Sequence, residues 1–413
     1  MFALLLAIGL VVAFVGLSSI DAGLPFGSAL RLGALYLGPF QHVAVVLEGD
    51  LDVDLSRLPG SRIPEGASAT IELGVALLAV TGFAVWLLFR AGRASAFGDG
   101  AATRALTGSR VALGYAPPIV LIALLVAFEQ PREIGSFVTA GVRVSMSAWQ
   151  AVVFPLAIAA AAGAAGGLWS WAASSDRSAV RVRAVLGAGW WMFLVALGLS
   201  YGGLLVAGVV QPDEQVALAT PSTARYFATV FERPGVGAVI LGHHVALAPN
   251  EAIWTLVPAS GACDVVRGSD RAEFLCYGSF PVTRASGRNA FGPAAAGYLL
   301  FLLVPAAATV LGGRRAAARS HARGWSTAGF GAASGIVYGV LVGIGCVLAS
   351  VTLTYAAAGP ADVSGRLWVG PDPVWGSILA LAWGAIGGAS GGASVRLRGS
   401  RAGRRRPGSP AAR

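Results

Sequence analysis

The chain predicts an all-α polytopic integral membrane protein of about eight transmembrane helices. A re-entrant or interfacial outside loop and a small β-hairpin complete the expected fold. Three observations carry this reading. Apolar residues make up 55% of the 413 residues and charged residues only 12%, roughly half the charge of an average soluble domain. Eight apolar runs recur along the chain, each long enough to cross a hydrocarbon core about 30 Å thick as a helix. The basic residues, all arginine, gather in alternate segments between those runs.

The runs cover 2–20, 70–89, 111–128, 148–171, 185–210, 293–311, 328–355 and 374–393. The first has no basic residue before its apolar core and only a weak cleavage site at Ser18-Ser19-Ile20-Asp21-Ala22, so it reads as an uncleaved span. Segments 90–110, 172–184, 312–327 and 394–413 carry 4, 3, 4 and 7 arginines against two acids, Asp99 and Asp176. Segments 21–69, 129–147, 211–292 and 357–373, with span-edge residues, hold the other 12 arginines and 18 acids. Arginine-rich short loops stay on the cytoplasmic side. Both termini are therefore expected in the cytoplasm of a plasma (inner) membrane protein. The apolar stretch 234–257 must then enter and leave on one side, turning at Pro249-Asn250. A single extra crossing would invert everything after it.

The order of spans and loops repeats. Residues 1–171 form one four-span half with outside loop 21–69. Residues 185–393 form another with outside loop 211–292, and 172–184 joins them. Parallel duplicates about an axis along the membrane normal are one known plan, although hydropathy alone makes any eight-span chain look paired. The sequence echoes are short. FRAGRASA at 89–96 resembles GGRRAAARS at 312–320, and QHVAVVLEGD at 41–50 resembles HHVALAPNEA at 243–252.

Within the first outside loop, 27–38 fits an interfacial helix. Residues 43–55 then alternate apolar and acidic, a strand signal that places Glu48, Asp50, Asp52 and Asp54 on one face. A solvated strand face is the simpler account of them; oxygen ligation of a divalent cation is the other. Pro117, Pro118, Pro155 and Pro305 fall inside runs and kink them. Gly331, Gly335, Gly339 and Gly343 recur every four residues, as do Gly384, Gly388 and Gly392. Such ridges let helix backbones approach closely in lipid, here within the monomer or else along the seam of a homo-oligomer. The tail 394–413 reads as irregular and basic. It would hold anionic headgroups by about 1 kcal/mol per arginine near the surface. It lacks the interleaved aromatics of a nucleic-acid binder, so no nucleic-acid partner is expected.

Few residues look chemical. Cys263 and Cys276 flank a hairpin pattern in an outside, oxidising loop, which points to a disulfide stabilising the fold by about 3 kcal/mol on loop-closure grounds. Cys346 reads as a small packing residue. His243 and His244 are adjacent, so their rings diverge on a helix or a strand, and no HExxH accompanies them. A zinc site made of His42, one of that pair and Glu251 is the weaker reading. In the stronger one, Asn250 caps the helix that carries Glu251 and Trp254. No nucleophile elbow, phosphate loop or nucleotide fingerprint occurs. No catalytic residue, metal or cofactor is therefore expected. The spans also lack the mid-depth carboxylates that mark ion-coupled carriers.

At 30–93 the order LRLGALYLGPFQHV, an acidic stretch, then IELGVALLAVTGFAVWLLFRAGR resembles the opening of the actinobacterial streptophobe family and related uncharacterised multi-spanning families. Their later Leu-Pro-Asn-x-x-x-Trp patch is similar to Ala248-Pro249-Asn250-Glu251-Ala252-Ile253-Trp254, with alanine in place of leucine and a longer, cysteine-bearing loop around it. The resemblance covers about a quarter of the chain and implies an inner-membrane polytopic fold, with no biochemical activity to carry over. Two functions are compatible with the whole. One is a permease-like protein for a lipidic or small neutral solute, its site lined by His42, His243, His244, Asn250, Glu251 and Trp254. The other is a non-catalytic envelope scaffold or surface sensor. A water-filled cavity is the mark of the first, and a glycine-packed core the mark of the second.

Overall fold

The structure, a computed structural model, describes residues 26–35, 37–53, 67–133, 138–173, 177–210, 214–216, 234–269, 272–276, 281–284, 289–291, 300–321, 324–358 and 363–404. The first apolar run, the acidic residue Asp54 and the last residues of the basic tail lie outside them.

Among the described residues, six helices are long and apolar enough to cross a membrane: Ala101–Leu125, Ala148–Ala172, Ser178–Val206, Leu300–Arg319, Ser326–Ala349 and Pro373–Val395. The chain is mostly helical around them. In the first half, α1 (Phe26–Leu35) and α2 (Leu37–Phe40) lead into the antiparallel pair β1 (Val45–Val53) and β2 (Ala67–Gly74). Helices α3 (Leu78–Ser95), α4 (Ala101–Ser109) and α5 (Val111–Leu125) follow. A second pair, β3 (Phe128–Glu133) and β4 (Val138–Met146), then leads into α6 (Ala148–Ala172).

The second half starts with α7 (Arg177–Val210), β5 (Glu214–Val216) and α8 (Pro234–Ala259). Next come β6 (Cys263–Arg267), β7 (Ala272–Cys276), β8 (Pro281–Arg284) and β9 (Asn289–Phe291). It ends with α9 (Leu303–Arg319), α10 (Ser326–Ala349), β10 (Val351–Ala358), β11 (Val363–Pro371) and α11 (Pro373–Arg404).

The strands correct the all-helical expectation. Eight of them form one sheet in the order β3-β4-β1-β2-β10-β11-β6-β7, and β5-β8-β9 form a smaller one. The expected hairpin is present as β6–β7, yet it is only one edge of the large sheet. Three apolar runs owe their length to strands. Run 70–89 begins in β2 and becomes helical only at Leu78, run 111–128 leaves its helix at Leu125, and run 328–355 leaves its helix at Ala349. A short apolar run rich in β-branched residues, such as VTLTY, has no periodicity that separates strand from helix.

The pairs β1–β2, β3–β4 and β10–β11 each connect one helix to the next, and because all lie in one sheet with β6, which follows α8, they mark one end of the bundle. At the opposite end lie Arg90 and Arg93 of α3, Arg177 and Arg181 of α7, and Arg314, Arg315 and Arg319 of α9. The arginine segregation read from sequence is thus a segregation between the two ends of the bundle.

Two further expectations change. Helix α8 runs unbroken through Pro249, so Pro249-Asn250 is no turning point. Proline costs one backbone hydrogen bond inside a helix, and α8 is packed against both halves on either side of that position, which offsets the loss. Residues 394–404 extend α11 rather than forming an irregular tail.

Helix α6 packs against α3, α4 and α5, and α11 packs against α9 and α10. The glycines explain how closely. A Cβ on Gly335 would overlap the backbone of Gly384, and one on Gly331 or Gly313 would overlap Gly388. Gly392 meets the backbone of Thr327 in the same way, Gly339 meets Leu381, and Gly343 meets Ser377. The first half repeats this. Gly92 and Gly108 meet Gly163, Gly166 meets Phe89 and Arg93, and Gly167 meets Arg104. With no hydrophobic drive between helices in lipid, such close approach supplies the dispersion contacts that hold them together.

The repeat extends to individual contacts. Ser147 N–H donates to Ala44 O at 3.0 Å, and Asp372 N–H to Cys263 O at 2.9 Å. Val43 N–H donates to Gly38 O at 2.9 Å, and Ala262 N–H to Val257 O at 3.1 Å. Gly166 sits on Phe89 and Arg93, and Gly391 on Val310 and Arg314. Tyr115 and Tyr338 are buried at matching places in α5 and α10. Ala44 thus corresponds to Cys263, Phe89 to Val310, Gly108 to Gly331 and Gly163 to Gly388. The spacing between twins grows along the chain from 219 through 221 and 223 to 225 residues. Matching hydropathy does not produce matching backbone contacts; the two halves share one plan. The echo of 41–50 with 243–252 is out of register, because residues 41–44 correspond to 260–263.

Candidate functional site

The two halves meet along the seam β2–β10 and through α8. The seam pairs seven positions, including Leu73 with Leu353 and Ile71 with Tyr355. Helix α8 contacts α3 of the first half as well as α7 and α10 of the second. Its Ala246 and Leu247 pack on the apolar core around Leu37, Phe40 and Leu88. Its Ile253, Leu256 and Val257 belong to the core around Met192 and Tyr338.

Asn250 lies between these two contacts and is buried. Its Oδ1 accepts from Leu78 N–H at 3.1 Å, and its Nδ2 donates to Ala76 O at 2.8 Å. Leu78 opens α3, whose own cap residue Leu77 makes no side-chain bond. A helix start leaves its first N–H groups without intrahelical partners, so Asn250 caps a helix of the other half. The cap expected of Asn250 is therefore real but acts on α3, not on its own helix. Trp254 Nε1 donates to Ala349 O at 2.9 Å, fastening α8 to the end of α10. Glu251 is buried and is an electrostatic neighbour of Tyr201 on α7. The backbone of His243 and His244 lies in α8; their side chains lie outside the described residues.

His42 stands elsewhere, between α2 and β1. Its backbone is left-handed, with φ 62°, a region that costs a non-glycine residue about 1–2 kcal/mol. Its ring meets Phe154 of α6 edge-on at 5.2 Å, and Phe154 meets Trp149 at 6.0 Å. Its Nδ1 is buried without a hydrogen-bond partner, and burial holds its imidazole below the ordinary pKa of 6.5. Beside it, Gln41 is completely buried, and neither its Oε1 nor its Nε2 has a partner. Two residues on, Ala44 N–H donates to Gln150 Oε1 at 2.7 Å, and Gln150 Nε2 donates to Glu72 Oε1 at 2.7 Å. This polar group of the first half, Gln41, His42, Glu72 and Gln150, sits where helix ends meet the sheet.

The equivalent corner of the second half is built differently. Asp372 caps α11, accepting from Val374 N–H at 2.9 Å and Trp375 N–H at 3.1 Å, with Pro373 at the first helical position. Arg267 lies 3.9 Å from the Asp372 carboxylate and over the Trp368 ring. Burial pushes the neighbouring Asp264 carboxyl well above its ordinary range. Cys263 and Cys276 are directly paired in the β6–β7 register; the described side chains include no complete cystine, since that of Cys276 lies outside them.

The structure thus brings Asn250, Glu251 and Trp254 together as parts of one bridging helix, and it sets His42 against α6. Among the described residues no three of His, Cys, Asp and Glu cluster as a metal site. Glu48 makes an ion pair with Arg143 at 3.7 Å, as a solvated strand face would. Sequence reasoning missed Gln41, Glu72 and Gln150. Their signal is the contrast with their twins, and it is hidden until the changing spacing between halves is known.

Fold and contacts together define a multi-spanning α-helical membrane protein capped by a β-sheet. No protein family, no curated protein and no solved structure matches the chain.

Proposed function

We propose that this is a plasma-membrane envelope protein that displays a rigid extracytoplasmic sheet, serving as a scaffold or surface sensor rather than as a carrier. The observation that supports this reading is the unbroken sheet, which pairs β2 of one half with β10 of the other over seven positions. Alternating access in duplicated carriers works by rocking one half against the other. Here a rocking motion would have to break that ladder and the bonds of Asn250 to Ala76 and Leu78. Glycine-to-backbone packing within each half leaves little slack either. The arginine-rich end of the bundle belongs in the cytoplasm by the positive-inside rule. That orientation puts the sheet outside, where a Cys263–Cys276 disulfide forms.

Spin labels at Phe97→Cys and Trp325→Cys, one on the arginine-rich end of each half, test the reading. A rigid platform gives one narrow distance distribution. Two distances whose populations change with an added solute would restore the carrier. Impermeant thiol labelling in intact cells checks orientation, with Thr70→Cys labelled and Trp325→Cys protected. Both native outer thiols should stay unreactive until reduced; free reaction of both removes the disulfide from the proposal.

A further inference from the structure

We propose that the first half holds the uncharged, hydroxyl-bearing headgroup of a membrane lipid at Gln41 and His42. The inference does not depend on the role of the sheet.

Buried polar atoms in folded proteins are almost always paired, so an unpaired set needs an explanation. Gln41 has no exposed surface and presents an unpaired donor and an unpaired acceptor side by side, and His42 adds a buried, unpaired Nδ1. A hydroxyl is both donor and acceptor, so it satisfies both atoms of one amide. The surroundings disfavour an ion. Phe40, Val43 and Leu37 are fully buried around this stretch of chain, and a charge placed there would lose its hydration with no opposite charge to replace it. Glu72, the acid of this corner, is tied to Gln150.

Comparison of the twins sharpens the assignment. The scaffold around this corner is shared: Pro39 matches Pro258 beside it, and deeper in the bundle Tyr115 matches Tyr338 and Gly163 matches Gly388. The site is not shared. Where the first half has Gln41, His42, Gln150, Trp149 and Phe154, the second has Ser260, Gly261, Trp375, Val374 and Leu379; by strand register, Glu72 opposite Val46 corresponds to Phe274 opposite Val265, because the connection between those two strands differs in length. Gly261 takes the same left-handed turn, at φ 92°. The second half shows that glycine satisfies the fold, so the imidazole at 42 is kept against a backbone cost. Strain retained beside buried, unpaired polar atoms points to function; His321, the other left-handed non-glycine residue described, has no such atom. Rings in contact connect the surface to this place, from Trp149, which is 62% exposed, through Phe154 to His42. This lies at the junction of helix ends and strands, the level at which tryptophans and headgroups meet.

The test uses the full chain in phosphatidylglycerol nanodiscs, with and without monogalactosyl diacylglycerol, and separately with free galactose. The galactolipid should raise the melting temperature of the wild type, and free galactose should not. His42→Gly, which copies the second half, should fold and melt higher in plain lipid yet lose most of the galactolipid shift. Gln41→Leu should lose it too. Equal shifts in wild type and both variants would overturn the site. A shift with free galactose alone would overturn the lipid assignment. If no probe shifts the wild type and Gln41→Leu is simply more stable, the amide is held by buried water, and the proposal fails.

Discussion

The two halves of this molecule differ least where backbones touch and most where a helix end meets the sheet. Gly108 and Gly331, Gly163 and Gly388, Gly166 and Gly391, and Gly167 and Gly392 occupy matching contacts. At those places any side chain would push against main-chain atoms, which have no rotamers with which to yield. The corners differ because their neighbours are side chains. The second half closes its corner with Asp372, a capped helix and a glycine turn. The first half leaves Ser147 without a side-chain cap bond, strains His42 and buries an unpaired amide. Two halves with matching contacts thus differ where side chains can rearrange, and that is where a site can exist in one half alone.

The largest break of this comparison would come from the shared ridge. Gly335→Leu or Gly388→Leu should destabilise by on the order of 3 kcal/mol or more by overpacking, read as loss of a monodisperse peak and a collapsed melting temperature in detergent. Gly114→Ala is the control, since nothing lies within 4 Å of its missing Cβ. Asn250→Ala comes next, at about 2 kcal/mol, because it strands the Leu78 N–H and the Ala76 carbonyl. Hydrogen exchange at Leu78 should quicken while the interior of α10 stays protected; uniform exchange across both halves would contradict a bridging cap.

The corners separate at smaller energies. Asp372→Ala should cost about 1 kcal/mol as a lost helix cap, whereas Ser147→Ala should cost almost nothing. Equal losses in thermal melts would erase the difference between the halves. His42→Gly should stabilise by up to about 1 kcal/mol through relief of the left-handed backbone, and Gly261→His should lose a similar amount. The first change also has a pH signature. Burial lowers the folded pKa of His42 below 6.5, so the unfolded chain takes up the proton first. The stability contributed by the neutral ring is present above that value and lost as pH falls through it toward the folded pKa. In His42→Gly that part of the acid dependence should flatten.

Much of this was legible in the residues. The membrane class followed from apolar run length and from sparse charge. Segregated arginines marked opposite ends of the bundle. The four-residue spacing of Gly331 to Gly343 marked a contact face, and Cys263 to Cys276 marked a hairpin. The strand in 43–55 was legible too, because its acids alternate. The large sheet was not, since VTLTY and TIELG extend apolar runs without periodicity. The unbroken course of α8 was not legible either. A proline in a hydrophobic stretch signals a break unless partners on both sides hold the helix, and those partners lie in different halves.

The chain by itself determined that helices form, that they are lipid-compatible, and which ends carry the arginines. These depend on local composition and on transfer free energy, which any window of residues reports. Only the tertiary structure decided that eight strands share one sheet, that Asn250 caps a helix some 170 residues away, and that Gln41 and His42 depart from the pattern of their twins. Those depend on which distant segments become neighbours. A buried amide without a partner is an ordinary glutamine until the atoms around it are known.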